Sequence, residues 1–145
     1  GLRQELEVGG IHVRAGSLAG LAEEAPAAYK DYEKLGIASS QSGKYQEAYE
    51  WYLKAVTMYP GCDRLWLELG RQAERLDRPD AARAHYATAV AIEDAYRRQF
   101  RRMYPDRPHI VSRLGEDEYR FAVERIAGLP ASDGKPGGLT PMPRQ

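Results

Sequence analysis

Sliding the chain over itself by 34 residues brings Leu35 onto Leu69, Gly36 onto Gly70, Ala48 onto Ala82, Tyr52 onto Tyr86, Ala55 onto Ala89 and Val56 onto Val90, with no gap. Tyr32 meets Trp66 as an aromatic pair in the same register. A period of this length constrains the fold more than any other feature. Each repeat unit is one small supersecondary piece that cannot bury its apolar face alone, so the units must stack and share a continuous core.

Within one period the apolar residues follow helical spacing. Tyr32, Leu35, Ile37 and Ala38 begin one stripe, which Ser42-Gly43 closes, and Tyr45, Ala48, Tyr52, Ala55 and Val56 form a second stripe that ends before Pro60-Gly61. The second unit repeats this plan with Trp66, Leu69 and Gly70, then Ala82, Tyr86, Ala89 and Val90. Gly36 and Ala48 are small where two antiparallel helices are expected to cross closely.

These residues resemble the tetratricopeptide family, whose spacing is W-x2-L-G followed by A-x3-F or Y and a late proline. Trp66-Leu69-Gly70 with Ala82-Tyr86 carries the likeness, as does Leu35-Gly36 with Ala48-Tyr52 and Pro60. Ser39 and Ala73 depart from the usual tyrosine, Asp77 and Pro79 from the inter-helix glycine and tyrosine, and Asp94 from a common proline. The resemblance implies an all-α fold: antiparallel helical hairpins in a right-handed α-solenoid. The units would be 29–62 and 63–94, after a short non-repeat segment over 1–28. Residues 95–129 read as a degenerate third unit of capping helices, one from Ala95 to Tyr104 and one from Glu116 to Ala127, with Pro105 and Pro108 between them. Residues 130–145, rich in Pro and Gly, read as a flexible tail.

Two further likenesses lie outside the repeat. Gly9-Gly10 leads into Ile11-His12-Val13-Arg14-Ala15, a turn entering a short strand. The run from Gly10 to Asp31, with its GLAEEAP and AYKD blocks, resembles a C-terminal segment of the RNA ligases that join 3′-phosphate ends in tRNA splicing and RNA repair. That resemblance implies that Tyr29 lies near a bound guanylate. The family's manganese site needs Cys, His and Asp, whereas this chain has Cys62, His12, His85 and His109 at no metal-ligand spacing. The run from Ile92 to Ile126 resembles the tail after the repeats in membrane-bound O-antigen ligase-like proteins. Both likenesses support an alternative reading, in which the chain is a terminal fragment or appendage of a larger enzyme, with coding sequence upstream of Gly1.

Composition narrows the function classes. Lys plus Arg and Asp plus Glu number 21 each, so no global field draws nucleic acid or an anionic membrane, and any electrostatic recognition is local. A single cysteine excludes an internal disulfide and fits a reducing, cytoplasmic setting. No run approaches the length of a membrane span. No catalytic constellation, metal set or cofactor motif is expected. Cys62 at a helix start is placed to have a lowered thiol pKa, His85 is expected on a solvated outer face, and Trp51 is expected either under a partner unit or at a rim.

The candidate site is a concave groove. In a tetratricopeptide hairpin the first helix of each unit lines it with positions two, five, nine, twelve and thirteen. In the second unit these are Arg64, Leu67, Arg71, Glu74 and Arg75, and in the first Lys30, Glu33, Ile37, Ser40 and Gln41. Extending the register adds Arg98 and Arg101. Guanidinium forks suit carboxylates, so the expected partner is a protein or peptide with acidic character, bound at Lys30, Arg64, Leu67, Arg71, Arg75, Arg98 and Arg101. RNA is the weaker reading, because Tyr96 and Phe100 are expected in the core rather than free to stack on bases. With two clear units where about three are usually needed, either the capping helices close the array or it self-associates.

Overall fold

A computed structural model describes the backbone of residues 5–8 and 11–14 and the whole of residues 28–130. The flexible-tail expectation for 131–145, and most of the ligase-like run, lie outside the described residues. Glu5–Val8 (β1) pairs antiparallel with Ile11–Arg14 (β2), with Val8 opposite Ile11 and Glu5 opposite Arg14. The expected strand at Ile11 therefore has a partner in the segment just before it. Among the described residues, everything else that is regular is helical, so the all-α expectation holds for residues 28–130.

The two apolar stripes of the first unit become α1 (Tyr29–Gln41) and α2 (Tyr45–Met58). Tyr32 of α1 stacks on Trp51 of α2 at 5.9 Å, while Ser39 Oγ donates to Glu47 Oε2 at 2.5 Å. Early residues of one helix thus meet late residues of the other, and the pair is antiparallel. The turn is closed by Gly43 at φ 77°, with Gly43 N–H and Lys44 N–H donating to the carbonyls of Ser40 and Ser39 at 3.0 and 2.8 Å. Such bonds satisfy carbonyls that a helix end leaves unpaired.

The second unit gives α3 (Asp63–Arg75) and α4, which starts at Pro79. Proline suits a first helical position because its missing N–H would have no intrahelical partner there. Asp77 takes the left-handed backbone of Gly43, at φ 59°, and Arg78 N–H donates to Ala73 O at 2.9 Å. One turn geometry therefore serves both units with different residues.

Gly36 and Gly70 explain the closeness of each pair. A Cβ on Gly36 would lie 2.9 Å from Tyr52 Cζ, and one on Gly70 would lie 2.5 Å from Tyr86 Cε1. The repeat tyrosines lie across these glycines, which is why the two residue types recur together. Trp66 anchors the centre: it is fully buried and its indole N–H donates to Pro60 O at 2.8 Å.

The expected break between units at 94/95 is absent. α4 runs from Pro79 to Met103 without interruption, 25 residues, through Ala91-Ile92-Glu93-Asp94-Ala95-Tyr96, where no Gly or Pro ends it. The chain turns only at Pro105 and Pro108 and re-enters a helix, α5 (Glu116–Gly128). The 104–115 connection is anchored on Glu93, whose carboxylate accepts from Ser112 Oγ at 2.6 Å and from Leu114 N–H at 3.1 Å. α5 runs antiparallel to α4, since Arg97 meets Glu116, Tyr119 Oη donates to Asp94 at 2.7 Å, and Phe121 packs edge-on against Tyr86. It also reaches α3, where Arg125 meets Glu74 and Phe121 lies under Arg71.

Candidate functional groove

α1 and α3 lie side by side and enclose a groove of about 260 Å³. α1 contributes Glu33, Ile37, Ser40 and Gln41, α3 contributes Arg64, Glu68, Arg71 and Arg75, and Tyr52 of α2 lies at the floor. Helical spacing puts each set on one face of its helix. Of the predicted site residues, Arg64, Arg71 and Arg75 come together here.

The other four do not. Leu67 is 1% exposed and belongs to the core, because α3 is covered on more sides than a groove-lining helix at the end of an array. Lys30 is exposed but is not among the groove-lining residues. Arg98 and Arg101 are exposed on the continuation of α4, also away from the groove. Their placement assumed a new helix after Asp94, and the unbroken α4 gives the place beside α3 to α5 instead. Glu74, expected in the groove, is turned towards α5 and bound by Arg125 and Tyr86.

The groove arginines already have partners. Arg64 forms a fork with Glu33, Nε to Oε2 at 2.7 Å and Nη2 to Oε1 at 3.1 Å, tying α3 to α1. The Glu33 hydrogen bond raises the Arg64 pKa further and burial opposes it, so the guanidinium stays charged. Arg71 pairs with Glu68 at 2.5 Å and lies over the Phe121 ring at 4.9 Å. Arg75 differs. Its Nη1 donates to Ser40 Oγ at 2.8 Å and it lies 5.2 Å over Tyr45, and among the described residues no carboxylate pairs with it. The lining thus carries three arginines against two glutamates, and the unmatched charge is at Arg75.

Tyr52 completes the floor. Its phenol pKa is raised, first by burial and then by Glu68 and Glu33, with Arg75 and Arg71 opposing, so the hydroxyl remains a donor at neutral pH. No hydrogen-bond acceptor among the described residues takes that proton. Sequence reasoning missed Tyr52 as a groove residue because its ring reads as repeat packing. The readable signal was the pair Ser40 and Glu74, one offset apart and chemically unlike.

Other expectations change with burial. Cys62 is buried and its thiol pKa is raised, chiefly by burial, rather than lowered by the helix start. His85 is also buried, not solvated. Burial depresses it to about 4, and its Nε2 hydrogen-bonds the Tyr49 hydroxyl at 2.7 Å. Trp51 is half-buried under Tyr32 rather than a free rim. Tyr96 and Phe100 are likewise half-buried, packed on one another at 6.2 Å.

Tyr29, the residue that the ligase resemblance puts beside a guanylate, is buried edge-on against Tyr59 at 4.9 Å. Among the described residues, no cluster of His, Cys, Asp and Glu is arranged to hold a metal ion, and no helix is long and apolar enough to cross a membrane. No protein-family model matches the chain, and no curated protein matches it either.

Proposed function

We propose that the chain is a tetratricopeptide-type interaction module that takes an acidic segment of a partner protein into the groove between α1 and α3, with no catalysis of its own. The observation that carries this reading is the meeting of Ile37, Ser40 and Gln41 of α1 with Arg64, Arg71 and Arg75 of α3 around one open groove. These are the positions at which a tetratricopeptide hairpin meets its ligands. α5, lying beside α3, serves as a capping helix, covering Tyr86 with Phe121.

Panning a random peptide library on the chain tests the proposal. Acidic peptides should be recovered, and their binding should be lost in the Arg71→Glu/Arg75→Glu double variant while far-UV circular dichroism stays unchanged. Equal binding to the double variant would place the interaction surface elsewhere and overturn the reading.

A further inference from the structure

The two junctions between neighbouring helices can be laid over one another. At the second, Glu74 near the end of α3 accepts the Tyr86 hydroxyl at 2.7 Å and the fork of Arg125 from α5, whose Nε lies 3.0 Å from Oε1 and whose Nη2 meets Oε2. At the first, one period earlier, Tyr52 holds the place of Tyr86, Arg75 of α3 donates to Ser40 Oγ at 2.8 Å, and all three residues line the one groove. The position of Glu74 is held by Ser40. The carboxylate is missing and its two donors remain.

We propose that Ser40, Tyr52 and Arg75 form a subsite for a carboxylate supplied by the partner, which would sit where Glu74 places its own at the second junction. This rests on the groove reading above and deepens it. Arg75 uses one of its five donors on Ser40, leaving an edge of its fork for an anion. The carboxylates nearest the subsite are each paired, Glu33 with Arg64 and Glu68 with Arg71. Tyr52 lies beneath on a helix pinned against Gly36, so its hydroxyl is positioned before the ligand arrives. Two sources offer this chemistry, an acidic side chain and a chain-terminal carboxylate.

Three N-acetylated tripeptide probes separate the outcomes: acetyl-Gly-Glu-Gly-amide, its Gln analogue, and acetyl-Gly-Gly-Gly with a free C-terminus. Each is titrated into the chain while the Tyr52 ring and Arg75 Nε–H resonances are followed by NMR. A saturable shift with either carboxylate probe, absent with the Gln analogue, supports the subsite, and the tighter of the two names the source. Tyr52→Phe keeps the ring against Gly36 and removes only the donor, and it should weaken binding roughly tenfold. Ser40→Glu should fill the subsite from within, abolish probe binding and raise the melting temperature. Equal binding by the Gln analogue, or unaltered binding by Tyr52→Phe, overturns the subsite. If library-selected peptides still depend on Arg71 and Arg75 in that case, the groove reading survives without it. If they do not, both fall.

Discussion

The two helix pairs share a residue pattern but not an environment. Leu35 is 43% exposed, whereas Leu69, its counterpart one period on, is fully buried. Tyr29, Gly36 and Ser39 are the buried residues of α1, while eight of the thirteen residues of α3 are buried. The cause is position in the stack. α3 is covered by α2, α4 and side chains from α5, whereas among the described residues α1 packs mainly on α2 and faces α3 across the groove. A repeat motif therefore specifies a shape, and the neighbours decide what each residue contributes.

The largest test of that contrast is truncation at one repeat position. Leu69→Ala should cost about 3 kcal/mol in urea unfolding, from lost burial plus the cavity left behind, and Leu35→Ala less than about 1 kcal/mol. Equal losses would mean that α1 is covered as completely as α3. Overpacking comes next. Gly70→Ala pushes a methyl into the Tyr86 ring, and about 2 kcal/mol of destabilisation is expected. Gly36→Ala should cost less, because the approach to Tyr52 is looser.

Smaller effects are expected at the two turns. Asp77 adopts a left-handed backbone at φ 59° that Gly43 adopts without a Cβ clash. Asp77→Gly should stabilise the chain and Gly43→Asp destabilise it, each by up to about 1 kcal/mol, read as opposite shifts in melting temperature.

The last contrast concerns pH. Where the first pair has Tyr29 and Trp51, the second has Asp63 and His85, both buried. Burial and the hydrogen bond to Glu93 raise Asp63 to about 6. Between about pH 4 and 6 the folded chain then keeps a proton that the unfolded chain has released, and this group lowers stability as pH rises. Glu93 itself is lowered: burial opposes its charge, but Ser112, Arg97, Leu114 N–H and Asp63 outweigh it. His85, depressed to about 4, works the other way, because the unfolded imidazole binds a proton below about pH 6.5 that the folded one refuses. Asp63→Asn should therefore steepen the rise of melting temperature from about pH 4 to 6, and His85→Gln should flatten it. Unchanged slopes in both variants would remove the second pair from the pH response.

Much of the helical body was legible. Both hairpin turns, the glycine–tyrosine crossings and the start of α5 follow from spacing and from Gly and Pro placement, which act locally. The groove was partly legible, since Arg64, Arg71 and Arg75 do face α1. Leu67 was misplaced because a helical face alone does not say how many neighbours cover it. Arg98 and Arg101 were misplaced because Asp94 is a weak helix breaker, and the boundary drawn there came from the period rather than from chain chemistry.

Sequence alone determined the 34-residue period, and with it the paired helices and the close crossings at Gly36 and Gly70, because side-chain size and helical spacing act within a few residues. Only the tertiary structure decided that α4 passes through the unit boundary, that α5 takes the place beside α3, and that Glu74 is paired there while Arg75 has no carboxylate partner among the described residues. Those outcomes depend on which helix lies against which, a long-range choice set by total buried surface and charge pairing, and no single period of the sequence contains it.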